Sequence, residues 1–146
     1  ITMCKIDFIS KPSFSFEEEK IVHFLKKYAE KEGFRISQIQ YNFVTKPYML
    51  KINKDYLDHD SHTDIVTFDY SKHKVIKAEV YISTETMKKN AKKFAQTLEN
   101  EAVRLISHAL FHCMGYSDKN APGREKMRNM EEKFIDDVSR ETINNV

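Results

Sequence analysis

At 146 residues the chain has the length of one domain, and a chain of that size buries about two thirds of its extended surface on folding. Hydrophobic residues make up 40% and charged residues 32%, with a net charge of +2: a soluble globular composition without the basic excess of a dedicated nucleic-acid binder. Three Gly and three Pro leave no room for a flexible linker or low-complexity tail, and no apolar run approaches the roughly 18 residues of a membrane span. Ile1–Ser10 lacks the pattern of a secretory signal, so the expectation is a single cytoplasmic domain over 1–146. Cys4 and Cys113 then read as reduced thiols rather than a disulfide framework.

In chain order, Cys4, Ile6 and Phe8 alternate with Lys5 and Asp7, the period of a half-buried strand. Ser15 and Glu18 have the spacing of a capping box, and behind them Ile21, Val22, Leu25, Tyr28 and Ala29 form a helical stripe that stops near Gly33. Ile39, Tyr41 and Phe43 alternate again as a second strand, and a short helix is expected around Leu50–Tyr56. Ile65–Phe68 and Val75–Ile82 are rich in β-formers, and the polar Tyr70–Lys74 stretch between them predicts a hairpin. Beyond Thr84 the pattern is helical over roughly 85–96, 98–114 and 122–138, with Pro122 in the first turn of the last helix. Strands early and helices late predict an α+β fold, a small mixed sheet covered by helices.

Chemistry concentrates in the segment from Ser107 to Asp118. On a helix, His108 and His112 lie about 40° apart around the axis and one turn apart along it, so both imidazoles reach one ion. Ala102, Val103, Ile106, Ala109, Leu110 and Cys113 fall on the opposite side, which separates a core face from a histidine face. Gly115 ends the helix and lets the chain fold back, bringing Asp118 beside the pair. Three protein ligands with an open fourth position are what a catalytic zinc requires, although iron or manganese also suit this donor set. Cys113 lies about 140° from His108 around the axis and reads as core. His23, on the polar side of its helix, and His73, in the expected turn, read as solvated. A zinc peptidase of the His-Glu-x-x-His type needs a glutamate where Ala109 stands, which argues against peptide hydrolysis by that route.

With its surroundings, this segment resembles the YbeY family of bacterial endoribonucleases and ribosomal RNA maturation factors. The family pattern His-Gly-x-Leu-His-Leu-x-Gly-Tyr-Asp-His is matched by His108-Ala109-Leu110-Phe111-His112-Cys113-Met114-Gly115-Tyr116-Ser117-Asp118. A second block, a Leu-Asn pair, a tyrosine and then Thr-Asp-Val-Leu-Ser-Phe, is matched by Ile52-Asn53, Tyr56 and Thr63-Asp64-Ile65-Val66-Thr67-Phe68. A third, Gly-Asp/Glu-Ile-x-Ile-Ser, is matched by Ala78-Glu79-Val80-Tyr81-Ile82-Ser83. The resemblance implies a mixed α+β fold with a four-stranded sheet and a metal-dependent endoribonuclease directed at single strands, acting on small-subunit (16S) ribosomal RNA in maturation and quality control. Its partners are then RNA and the small ribosomal subunit, with no membrane and no DNA.

Two departures from the family pattern stand out. Asp118 replaces the third histidine ligand, and Leu57 stands where the family has an arginine suited to phosphate. Lys54 or His59 could replace that charge. Lys88, Lys89, Lys92 and Lys93 form a basic stripe within about 140° of arc on their helix, with Lys72, Lys74 and Lys77 nearby in sequence. Such a stripe either binds phosphate or only solvates the helix. The candidate RNA contacts are Lys54, His59, Lys88 and Lys92, and no residue stands out as a separate general base. The competing reading is a non-catalytic ribosome-assembly module in which the ion is a structural staple.

Overall fold

A computed structural model of the chain describes residues 4–12, 17–56 and 64–140. Its elements run β1 (Lys5–Ile9), α1 (Glu18–Lys31), β2 (Arg35–Val44), α2 (Lys46–Tyr56), β3 (Ile65–Asp69), β4 (Val75–Ser83), α3 (Thr84–Lys93), α4 (Leu98–Cys113) and α5 (Ala121–Arg140). The strands form one four-stranded sheet in the order β1-β2-β4-β3. β1 and β4 both run parallel to β2, whereas β3 pairs antiparallel with β4, so the sheet is mixed as expected.

Alternation decides the two faces of the sheet. Phe8, Ile39, Tyr41, Phe43, Ile76, Ala78, Val80 and Ile82 point to one side and are buried there. Stripes from the helices meet them: Ile21, Leu25 and Tyr28 of α1, Ile106, Leu110 and Phe111 of α4, Met127, Phe134 and Val138 of α5. Tyr41 threads this layer and donates its hydroxyl to the Ile106 carbonyl at 2.9 Å, which ties β2 to the middle of α4. Val66 pairs with Tyr81 on the opposite face, where Met49 and Ile52 of α2 cover them beside Phe68 and Val44.

Two helix starts differ from the sequence reading. α2 begins four residues earlier than expected, because Pro47 falls in its first turn, where the missing N–H costs nothing. Thr45 Oγ1 accepts from Tyr48 N at 3.3 Å and supplies the cap. At α1 the capping position is Glu17, without a side-chain cap, while Ser15 lies outside the described residues. Ser83 and Thr97 cap α3 and α4 in the ordinary way, accepting from Thr86 N at 3.2 Å and Asn100 N at 3.0 Å.

Candidate active site

α4 is the element around which the site is built. Its apolar residues, from Ala102 to Cys113, are buried on the side expected. Glu101, Arg104 and His108 recur at helical spacing on another side, and His112 follows one turn further on, exposed. Gly115, at φ +101°, ends the helix in a conformation open to glycine. Gly115 N donates to the His112 carbonyl at 3.1 Å and Tyr116 N to that of Phe111 at 3.0 Å, the paired bonds of a Schellman motif.

The chain then turns back, and its path is tightly fixed. The Tyr116 ring packs on Phe111 with centroids 5.5 Å apart, and its hydroxyl donates to Glu32 at 2.7 Å. Burial, with that carboxylate, pushes the phenol up to about 12. Gly123, in the first turn of α5, lies directly beneath: a Cβ there would stand 2.2 Å from the Ser117 carbonyl oxygen. This turn delivers Asp118, whose Oδ2 stands 3.8 Å from His108 Nε2.

The other nitrogen of His108 is also engaged. Nδ1 lies 2.6 Å from Oε2 of Glu131, a carboxylate only 3% exposed in the apolar stripe of α5. The second oxygen of Glu131 accepts from Arg104 Nη1 at 3.3 Å. Arg104 in turn grips Glu101 with two bonds of 3.0 and 2.6 Å and reaches Asp64 Oδ2 at 3.5 Å, where Asn90 also donates at 3.2 Å. Burial works against the guanidinium charge, but Glu101, Glu131 and Asp64 outweigh it and raise its pKa above the ordinary value. Buried charges need such saturation, since an unpaired one is strongly destabilising. A cleft of about 810 Å³ opens over this network, bordered by Asp64, Phe94, Arg104, Arg128 and Glu131.

His108 and Asp118 suit an ion. Two donors at about 2.0 Å from one tetrahedral zinc stand a little over 3 Å apart, close to the 3.8 Å observed. A carboxylate on the far nitrogen of a ligating histidine is the usual supporting contact. His112 is not gathered with them: among the described residues, no three His, Cys, Asp or Glu side chains stand together as a metal-holding group. Cys113 is buried, and burial pushes its thiol up to about 12, in keeping with a core role. His23 and His73 are exposed, as are Lys54 on α2 and Lys88 and Lys92 on α3. His59 and Leu57 lie outside the described residues.

Glu131, Arg104, Glu101 and Asp64 carried no role in the sequence reading. One signal was available: a glutamate in the stripe Met127, Glu131, Phe134, Val138 is a charge placed where the helix faces the core.

Comparison with known proteins bears on this arrangement. The sequence profile of the family described as Endoribonuclease YbeY matches residues 7–139. A Cytophaga hutchinsonii protein named Endoribonuclease YbeY is 38% identical over 120 residues, covering 82% of this chain and 84% of the relative. A protein of the same name from Christiangramia forsetii is 34% identical over 132 residues, covering 90% and 92%. The fold is similar to that of a Thermotoga maritima protein solved in solution, with a TM-score of 0.62 at 20% identity over 97% of this chain and 99% of that one.

Proposed function

Because the chain belongs to the YbeY family of endoribonucleases, we propose that it is a metal-dependent nuclease that cuts single-stranded RNA and serves small-subunit (16S) ribosomal RNA maturation and quality control. Its substrate is then RNA, its larger partner the small ribosomal subunit, and its place the cytoplasm. No helix among the described residues is long and apolar enough to cross a membrane.

The observation that carries this reading is the placement of His108 between two carboxylates, Glu131 on Nδ1 and Asp118 facing Nε2. His108, His112 and Asp118 are the proposed ligands, with zinc the first candidate. A divalent ion bound there supplies Lewis acidity toward a phosphoryl oxygen and makes water more acidic. The chain's own residues do the rest. Glu131 holds the His108 ring in place, and Arg104 bridges Glu131 and Glu101. The exposed lysines of α3 offer sequence-independent phosphate contacts.

The test pairs metal analysis of protein purified without added ions with cleavage of a single-stranded RNA by the wild type and by His108→Ala. Loss of cleavage and of metal in a variant that still folds supports the reading. A wild type that binds metal, associates with ribosomal RNA and cuts nothing would instead support the non-catalytic assembly module, which Leu57 in place of the family arginine favours.

A further inference from the structure

The apolar stripe of α3 continues past the point where its packing ends. Met87 and Ala91 are buried. Phe94 follows at the same helical spacing, about 20° from Met87 around the axis, yet it is 60% exposed. Its backbone is firmly placed all the same. Phe94 is the C-cap residue of α3, and Ala95 after it takes a left-handed φ of +54°. Ala95 N donates to the Lys92 carbonyl at 3.3 Å and Gln96 N to that of Ala91 at 2.8 Å, which locks the turn as a Schellman motif. Thr97 then caps α4 directly. A large ring is thus presented at a rigid helix end, and it borders the cleft of about 810 Å³, a volume in the range of small-ligand sites.

We propose that this cleft holds one unstacked nucleobase of a single-stranded RNA, with the base lying on the Phe94 ring and the sugar-phosphate chain outside, along the lysines of α3. An aromatic face accepts any base by stacking. The polar lining supplies partners for its edge: Gln96 and Asn100, joined by a 3.5 Å bond, are amides with both donors and acceptors. Glu132 and Asp136, one turn apart on α5, add exposed carboxylates. Carboxylates repel phosphate but accept from an exocyclic amino group, so the cleft favours cytosine, which carries one, over uracil, which has a carbonyl there. The phosphates have other places to go: Lys88, Lys89, Lys92 and Lys93 are exposed on the same helix, and Lys93 Nζ stands 5.3 Å from the Phe94 ring centroid. Glu131 borders the same cleft and contacts His108 Nδ1 at 2.6 Å, so a base seated on Phe94 lies on the approach to the candidate metal site. This inference deepens the RNA reading and rests on it.

Stacking and charge make separable contributions, which sharpens the idea. Removing the ring in Phe94→Ala weakens single-strand binding about 5- to 100-fold, the usual loss for one stacked base. The slope of log K against log salt stays as in the wild type, because a phenyl ring releases no counterion. Phe94→Tyr keeps an aromatic face and keeps the affinity. A merely structural role for Phe94 would not make affinity follow aromaticity in this way, and a side chain this exposed can be truncated with little cost to the fold.

The chain has no tryptophan, so Phe94→Trp places a single indole reporter at the cleft. The experiment titrates this variant with short oligo(C), oligo(U) and an abasic oligomer of the same length, reading indole fluorescence, and measures the affinity of the same strands for the wild type, Phe94→Ala and Phe94→Tyr by anisotropy. Circular dichroism checks that each variant folds. The expected result is quenching by the base-bearing strands and not by the abasic one, tighter binding of oligo(C) than of oligo(U), and the loss in Phe94→Ala at an unchanged salt slope. Quenching that does not need bases, or wild-type affinity in Phe94→Ala, overturns the proposal; equal affinity for oligo(C) and oligo(U) overturns the role given to Glu132 and Asp136. An arginine-rich peptide that quenches the indole where RNA does not would overturn it too, assigning the ring to a cationic protein partner. Base-dependent quenching in a protein that cuts no RNA leaves the subsite standing and removes the nuclease. RNA cleavage by the wild type, with Phe94→Ala binding and cutting equally well, removes the subsite and leaves the nuclease in place.

Discussion

Gly123→Ala tests how the return loop sets the site. A Cβ at this position would lie 2.2 Å from the Ser117 carbonyl oxygen and 3.3 Å from its carbon, whereas ordinary contact begins at 3.4 Å. The obstacle is backbone, so no rotamer change relieves it, and the loop must retreat by about 1 Å. Overpacking of this kind costs about 1–3 kcal/mol. Replacing a helical glycine otherwise returns about 0.4–1 kcal/mol by restricting the unfolded chain. The balance is a loss of about 1–2 kcal/mol, equivalent to a fall of roughly 3–8 °C in Tm for a chain of this size. Function should suffer more than stability. Ser117 adjoins Asp118, whose Oδ2 is placed 3.8 Å from His108 Nε2 by this loop, and a misplacement of about 1 Å at a reacting centre can cost 10²-fold in rate. Thermal unfolding by circular dichroism, zinc titration and RNA cleavage measure the three effects. A Gly123→Ala protein at least as stable as the wild type, with unchanged zinc affinity, would refute the idea that the Gly123–Ser117 contact sets the position of Asp118.

The thiols give a second test: Cys4 is exposed and Cys113 buried, so a thiol reagent at pH 8 should modify one cysteine in the native protein and both after unfolding. Because folding raises the Cys113 pKa from 9.0 to about 12, the native state keeps that proton longer than the unfolded chain; its contribution to stability is complete below pH 9 and declines as pH rises toward 12, visible as a falling Tm in alkaline melts. Lys88→Glu with Lys92→Glu should weaken single-strand binding and reduce the slope of log K against log salt by about 1.4, near 0.7 per lost phosphate contact, with an unchanged slope assigning these lysines to solvation alone. A chelator should weaken RNA binding as well as cleavage, measured by fluorescence anisotropy at fixed ionic strength; affinity indifferent to the chelator would exclude an ion that bridges protein and phosphate.

Much of the fold was legible because hydrophobic periodicity survives in most elements. β2 alternates cleanly through Ile39, Tyr41 and Phe43, and α4 keeps its core residues on one side. The order β1-β2-β4-β3 was not legible, since which edge β2 offers to β4 is settled by packing across the sheet rather than by any local signal. The early start of α2 was missed because Pro47 reads as a breaker unless its place in the first turn is known. Within the site, His108 and Asp118 were visible as spacing plus a glycine turn, and the structure brings them together. Glu131 was not, because its sequence distance from His108 is large and only the packing of α5 on α4 makes them neighbours. Its position in an apolar stripe was the one local sign that a charge had a buried partner.

The charges around His108 also bear on the substitution at Leu57. Asp64, Glu101, Glu131 and Asp118 contribute four carboxylates, and Arg104 answers with a single guanidinium. Each Arg104 contact is already committed to an acid, so this arginine has no charge to spare for a phosphodiester. Arg128 is the other arginine bordering this cleft, which keeps an excess of carboxylates, and like charges close together in a partly desolvated setting cost far more than they do in open water. Leu57 follows Tyr56 and offers no charge to a phosphate. A divalent ion held by His108, His112 and Asp118 would offset the excess where the scissile phosphate must sit, and the α3 lysines would extend the attraction along the strand. On the proposed reading such an ion would favour the approach of the substrate, and Asp118 as a third ligand would lower the charge of the site without removing the attraction.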